Sequence, residues 1–172
     1  QGHALLLSTL EKHGYHLQQR QLCPTELGLP NIRKRFYLVA SRQPLNPIQV
    51  EDVESPLLAS FLDKNAPADL AVPEDLRRRY GENLHTVDAD DPRAVAACFT
   101  SAYGNSPVYC GSYLRQRGAL RYFSPTEIAR FLGFSEHFQL PKHFSRRQLW
   151  KLIGNSVSIP AVRSILSAIP SS

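Results

Sequence analysis

The sequence predicts an α+β chain, and three observations carry that prediction. A helical apolar pattern at the N-terminus runs into two strand-like segments; a proline-rich stretch of weak periodicity follows; and the C-terminal third holds short helices whose ends are written by capping residues. Strands then helices, with no regular alternation, point to the end of a larger sheet, a small irregular domain and C-terminal helices.

Ala4, Leu5, Leu6, Leu7 and Leu10 crowd one side of a helix that Gly14 can end, and residues 15–22 read as an extended strand. Cys23-Pro24 and Gly28-Leu29-Pro30 punctuate a loop. Phe36 to Ala40 is then a nearly continuous apolar run, the mark of a strand covered on both faces. Two strands are too few for such a sheet, so residues outside this chain complete it or an edge stays exposed.

Between residues 41 and 73 prolines occur at 44, 47, 56, 67 and 73, which marks a loop-rich insertion with one helix at 56–62. Pro73 suits a first helical position, and Leu76, Tyr80 and Leu84 follow at a spacing of four, so an amphipathic helix is expected over 73–85. Its other face carries Arg77, Arg78 and Arg79. Adjacent arginines fan out around a helix axis and cannot all meet one ligand, so they form either a solvated face or a phosphate-contacting patch. Asp88, Asp90 and Asp91 lack the glycine and distal glutamate of a calcium loop and are expected to form a turn, with no metal. Residues 94–100 and 108–114 read as strands, with turns at Gly104-Asn105 and Gly118.

The most explicit element follows. Ser124 offers an N-cap oxygen, Pro125 fits the first turn, Glu127 closes a capping box and Gly133 can take a left-handed stop. Ile128, Phe131, Leu132 and, past the stop, Phe134 form its apolar stripe, while Arg121, Glu127 and Arg130 can pair around it. So short a helix needs neighbouring layers to persist. Ser145 and Gln148 repeat the box for a helix that Gly154 should stop in a left-handed turn, and a last helix runs from about 158 to 169.

With 42% hydrophobic residues among 172, the chain can bury one real core. It opens on Gln1 and contains no methionine, which reads as part of a longer polypeptide. A net charge of +5 and a pI near 9.3 favour a polyanionic partner. No apolar run approaches the roughly 20 residues of a membrane span and no signal pattern is present, so a cytoplasmic protein, or a nuclear one in a eukaryote, with no membrane partner is expected. Cys23, Cys98 and Cys110 are odd in number and lack metal spacing, arguing against a disulfide framework or a zinc site.

Three segments together carry a family resemblance: "LGLPNIRKRFYLVA" (27–40), "RYFSPTEIARFLGF" (121–134) and "LIGNSV" (152–157). They resemble, in order, the last three sequence blocks of cytosine-5 methyltransferases. The segment "CFTSAYG" (98–104) further resembles the branch that methylates aspartate tRNA. The resemblance implies a Rossmann-like methyltransferase sheet whose closing helix and strands are residues 1–42, a target-recognition domain at 43–134, and terminal helices at 135–172 that return to the catalytic domain. It implies S-adenosyl-L-methionine as methyl donor and tRNA as partner, with DNA the alternative substrate. The alternatives outside a complete enzyme are a non-catalytic nucleic-acid-binding module and one half of a split enzyme.

Methylating C5 of a pyrimidine needs a thiolate adding to C6, a methyl donor over C5 and a pocket for the extruded base. The family's Pro-Cys thiol, its base-holding glutamate and its Gly-rich turn have no counterpart here, so this segment alone is expected to be inactive, the nucleophile lying in a missing N-terminal part or a partner chain. Cys23-Pro24 reverses the dipeptide and reads as a buried structural thiol. Arg33 and Arg35 share one face at a strand edge and can hold an acceptor oxygen or phosphate but cannot act as bases. Ion pairing is their ordinary explanation; the resemblance makes Arg35 the contact to the flipped cytosine and Arg33 its neighbour. Gly154 to Val157 joins a helix stop to the next helix start, a place that suits a carboxylate. The resemblance adds that Asn155, Ser156 and Val157 line the S-adenosylmethionine pocket and that Cys98 lies near the active site as an auxiliary thiol. Arg77, Arg78, Arg79, Arg115 and Arg117 are the candidate phosphate contacts. Tyr103, Tyr109, Tyr113 and Tyr122, among Arg115, Arg117 and Arg121, either build a stacking surface or pack the ribbon.

Overall fold

α1 (Gly2–Lys12) ends at Gly14, whose φ of 77° is the left-handed stop, and the chain enters β1 (His16–Leu22). β2 (Arg35–Ser41) returns antiparallel to it, with Leu22 opposite Arg35 and His16 opposite Ser41. This computed structural model describes residues 2–51 and 53–170. Among them β1 and β2 make a sheet of two strands only.

A strand covered on both faces was the expectation for residues 36–40, and the described residues do not supply the second cover. Val39 is buried in a cluster with Leu22, Leu27 and the C-terminal helix residues Ala161, Ile165 and Ala168. Phe36, on the opposite side, is half exposed with its ring edge to face against His3, while α1 buries none of its residues and leaves Leu5 67% exposed.

The middle of the chain forms a second sheet of three short strands. β3 (Thr86–Asp88) runs parallel to β4 (Tyr113–Gln116), which pairs antiparallel with β5 (Ala119–Tyr122) around Gly118. Four expectations need correction here. The helix expected at 56–62 is one 3-10 turn at Leu58–Phe61. The helix over 73–85 is α2 (Glu74–Tyr80) followed by a 3-10 turn, although Leu84 is still delivered to the core beside Val72 and Tyr113. Residues 94–100 are no strand but carry one bridge, Asn31 to Ala96. The strand expected at 108–114 starts only at Tyr113, because Tyr109 at φ 61° and Gly111 at φ 148° bend the chain before it. Any Cβ at Gly111 would press on the rings of Phe99 and Tyr103. The aspartates do form a turn: Asp88 accepts from Asp90 N and Asp91 from Arg93 N.

α3 (Pro125–Phe131) has the ends the sequence wrote for it. Ser124 Oγ accepts from Glu127 N at 3.1 Å, Glu127 Oε2 accepts from Ser124 N at 2.7 Å, and Gly133 stops it at φ 82°. Its Ile128, Phe131 and Leu132 sit in the largest core cluster with Phe99, Tyr103, Phe123 and Trp150. Ring pairs such as Phe99 to Tyr103 and Tyr103 to Trp150 meet edge to face at about 5 Å, each adding roughly 0.5–1.5 kcal/mol beyond area burial. α4 (Arg146–Gly154) is capped by Ser145 and Gln148 and lays Trp150 and Ile153 on this cluster, while α5 (Ile159–Leu166) belongs to the β1–β2 cluster. No helix among the described residues is long and apolar enough to cross a membrane.

Gly154 is not the left-handed stop expected. It is the last helical residue, followed by Asn155 in the right-handed region, and its hydrogen atom faces the Thr100–Ser101 backbone so closely that a Cβ would overlap it. Close approach, not backbone freedom, requires glycine there.

Glu127 is fully buried, and its carboxylate accepts from both terminal nitrogens of Arg121 at 2.9 and 2.7 Å, from Ser124 N and from Asp63 N at 2.8 Å. Arg130, the third charge expected here, pairs instead with Asp63 at 2.7 Å. Replacing Glu127 by Gln should destabilise the fold by about 3–5 kcal/mol in a urea melt, because a neutral amide leaves the Arg121 charge unpaired. The double replacement Arg121→Met with Glu127→Leu should not recover the loss, since two backbone N–H groups would then be orphaned at about 1–3 kcal/mol each. Gly154→Ala should lower the melting temperature by several degrees through displacement of the Thr100 backbone, whereas Gly118→Ala, whose added Cβ meets nothing, should cost only the strain of its φ of 77°.

Candidate functional site

Two stretches remote in sequence lie side by side and build the site from the backbone up. Asn31, 1% exposed, donates through Nδ2 to Ala96 O at 3.2 Å and Ala97 O at 2.9 Å, while Ile32 N and Ala96 N close the backbone bridge. Cys23 is the buried structural thiol expected: its Sγ accepts from Arg33 N at 3.4 Å. The 31–35 segment is thereby fixed against 96–99 before any charged side chain is considered.

Arg33 and Arg35 both reach Cys98, as side chains two apart on one face should. Arg33 is buried and extends its terminal nitrogens to four acceptors: Phe99 O at 2.7 Å, Cys98 Sγ at 3.3 Å, Gly154 O at 2.9 Å and Ser156 O at 2.6 Å. Its Nε is buried without a partner among the described residues. Arg35 is exposed; Nη1 donates to Lys34 O and Nη2 stands 3.6 Å from Cys98 Sγ. One arginine is thus consumed in holding the turn after α4, and the other keeps donors free for solvent or a ligand. Cys98 is partly exposed, in a loop rather than on a strand, with two guanidinium groups within reach of its sulfur.

The turn that Arg33 holds presents Asn155 and Val157 to solvent, while Ser156 Oγ donates back to Leu152 O at 3.1 Å. Just beyond, the Ser158 hydroxyl is buried without a partner among the described residues, although its residue occupies the N-cap of α5. Sequence reasoning missed Ser158 because an N-cap serine is ordinarily satisfied by its own helix.

Cys98 also borders a groove of about 620 Å³ with Leu84, His85, Thr86 and Tyr109. His85 shares a 2.9 Å hydrogen bond through Nδ1 with Ser112 Oγ, which accepts from Ala97 N at 2.7 Å. Thr86 borders this groove and a second cleft that holds Arg77 and Arg115. Arg117 lines a different hollow with Lys64, and Arg77, exposed like Arg78 and Arg79, is engaged by Glu74. The structure brings Arg33, Arg35, Cys98 and the 154–157 turn together, with Arg77 and Arg115 one cleft away; Arg117 faces elsewhere.

The tyrosines divide. Tyr103 and Tyr113 are 1% exposed: Tyr103 Oη donates to Ser112 O and accepts from Phe123 N, and Tyr113 Oη donates to Pro107 O. Burial pushes both phenols upward from their ordinary range, so they remain protonated donors. Tyr122 packs beside them and against Trp150, and Arg121 is spent on Glu127. Of the four, only Tyr109 is left to solvent.

Comparison with known proteins gives this geometry a family. The description "C-5 cytosine-specific DNA methylase" matches residues 64–171, more than half of the chain. The tRNA (cytosine(38)-C(5))-methyltransferase of Spodoptera frugiperda is 25% identical over 204 aligned residues, covering 96% of this chain and 60% of that protein. The type II methyltransferase M.MspI of Moraxella is 27% identical, with 96% and 40% covered. The solved Entamoeba histolytica methyltransferase EhMeth superposes with a TM-score of 0.88 at 27% identity over 96% of this chain and 56% of its own. The chain therefore spans 60% or less of each of these relatives. Matched across its central and C-terminal residues and superposable over nearly its whole length, the chain belongs to the C-5 cytosine-specific DNA methylase family.

Proposed function

We propose that this chain supplies target recognition, the base-contacting arginine and one wall of the donor pocket for methylation of C5 of a cytosine in tRNA. The observation that carries the reading is the position of Arg35: exposed, at the start of β2, beside Cys98, which lines the groove. A guanidinium in that position donates to the acceptor edge of an extruded cytosine and cannot take up a proton, so its role is to hold the base and not to act as a base. Arg33, its donors directed to carbonyls, positions the turn carrying Asn155 to Val157 relative to Cys98.

Methylases of this family use S-adenosyl-L-methionine, which supplies the electrophilic methyl group when bound. The residues present fit one side of such a donor: an exposed amide at Asn155, an exposed apolar face at Val157 and the unpartnered buried hydroxyl of Ser158. In this reading the thiolate that adds to C6 comes from outside these 172 residues, either the remainder of a longer chain or a partner. The uncovered face of α1 and the unpaired edges of the β1–β2 sheet are surfaces on which that part would pack. Residues 43–134 act as the target-recognition unit between the two contributions to the catalytic domain.

The tRNA substrate is supported by relatives named tRNA (cytosine(38)-C(5))-methyltransferase from insect, human and fission yeast. The bacterial M.MspI and a Dictyostelium DNA (cytosine-5)-methyltransferase are similar to about the same degree, and duplex DNA is the alternative to be tested. Single-turnover methylation by the assembled enzyme, with aspartate tRNA and duplex DNA compared at equal concentration, decides it: faster transfer to tRNA is expected, and faster transfer to DNA overturns the assignment.

In the same assay Arg35→Ala should slow transfer by about 10²–10³-fold, as loss of a preorganised donor does, with stability within about 0.5 kcal/mol of wild type. Arg33→Ala should lower both the rate and the melting temperature, because several charge-assisted hydrogen bonds are lost at about 1.5–3 kcal/mol each. If Arg77 and Arg115 contact phosphates, each Ala variant should weaken binding evenly across RNA sequences and flatten the plot of log affinity against log salt by about 0.7–0.9 per lost contact.

A further inference from the structure

Tyr109 stands apart from every other tyrosine of the ribbon. It is 94% exposed, and its φ of 61° is a left-handed conformation that non-glycine residues keep only where the surroundings impose it. The surroundings do impose it. On one side Pro107 O accepts from the buried Tyr113 hydroxyl at 2.9 Å, and on the other Cys110 O accepts from Thr100 N at 3.0 Å. The ring is therefore carried on a loop pinned at both flanks, beside the 97–100 stretch. It packs into no core, so folding gives no account of why a large aromatic occupies a position that would suit glycine better.

The ring borders the groove that also takes in Cys98 and His85, whose imidazole is held by Ser112. Arg35 reaches Cys98 from beyond the groove, and Arg77 and Arg115 lie in the cleft that shares Thr86 with it. An exposed aromatic face, a tethered imidazole and neighbouring guanidinium groups make up the composition that binds unpaired nucleic acid: bases stack on rings while cations meet the phosphates. A chain of net charge +5 adds attraction for such a polyanion.

The geometry points to Tyr109 as the residue that stacks on the base next to the target cytosine in an unpaired RNA loop, holding the strand while the cytosine is turned toward Arg35. This rests on the tRNA reading above and names a contact that that reading leaves open. Tyr109 is a positioning residue: it touches a neighbour of the reacting base and moves no proton or electron. Its ring carries the effect, so the hydroxyl is dispensable.

The test uses an RNA hairpin with an unpaired loop containing one cytosine and 2-aminopurine beside it, a base whose fluorescence falls when it stacks. Binding of the assembled enzyme should quench the signal. Tyr109→Phe should quench equally and bind as well as wild type; Tyr109→Ala and Tyr109→Gly should abolish the added quenching and weaken binding about tenfold. The Gly variant should melt no lower than wild type, since glycine accepts the left-handed φ, so its defect cannot be a folding defect. Full quenching and affinity in Tyr109→Ala overturns the stacking contact while leaving the tRNA reading intact. Loss of affinity in Tyr109→Phe also overturns it, by shifting the contact to the hydroxyl. A wild-type enzyme that binds duplex DNA but not the hairpin overturns the tRNA reading and this inference together.

Discussion

The buried carboxylate of Glu127 is the constraint on which the rest of the molecule depends. Four donors converge on it, and they belong to β5, to the N-cap of α3 and to the insertion before α2. Without it, α3 would be a seven-residue helix too short to persist, β5 would lose its tie to that helix, and the loop at Asp63 would be held by its side chain alone, through Arg130 and Ser124. The ion pair is not there because ion pairs are strong. Desolvating both charges consumes most of their attraction, and what remains is directional: the carboxylate is satisfied in one arrangement of those three segments and in no other nearby.

From that junction the large aromatic cluster follows. Phe123 comes between β5 and the α3 cap, Phe131 sits on the helix, and Tyr103 threads its hydroxyl between Ser112 O and Phe123 N, so the ribbon and the helix share one interior. Trp150 closes the cluster from α4 and donates its indole N–H to Phe123 O at 3.0 Å. The 154–157 turn thus follows directly on the half of α4 that is embedded in the same core through Trp150 and Ile153. Rigidity at Glu127 and geometry at Arg33 are linked through that half of α4.

Local chemistry was legible in the residues and distant chemistry was not. Both capping boxes, the φ of Gly133 and the core stripe of α3 could be read because cap, stop and apolar spacing lie within one short window of chain. Residues 94–100 misled because their small apolar side chains fit a strand, yet Ala96 and Ala97 are held by the side chains of Asn31 and Ser112, partners no window contains. Gly154 misled in a similar way: glycine after an apolar helix reads as a stop, and only the Thr100 backbone pressed against it reveals another cause. At the site, the resemblance named Arg33 and Arg35 together, but burial separates them into a brace and a free donor. Tyr109 could be singled out only once Tyr103, Tyr113 and Tyr122 had been found packed.

Arg33 bonds to residues 66 and 121 positions further along the chain. A ribosome delivers those partners in sequence, so the guanidinium waits for these acceptors until residues 99 and 154 have been made. Closing so long a loop adds little entropy over a shorter one, since each doubling costs only about 0.6 kcal/mol, but it cannot begin until the last helices have emerged. The order of contacts is thereby set: Phe99, Tyr103, Phe123 and Phe131 can meet before α4 is made, and the junction of Arg33 with the 154–157 turn follows. A chain interrupted shortly before residue 154 would keep part of its core and lose this junction entirely.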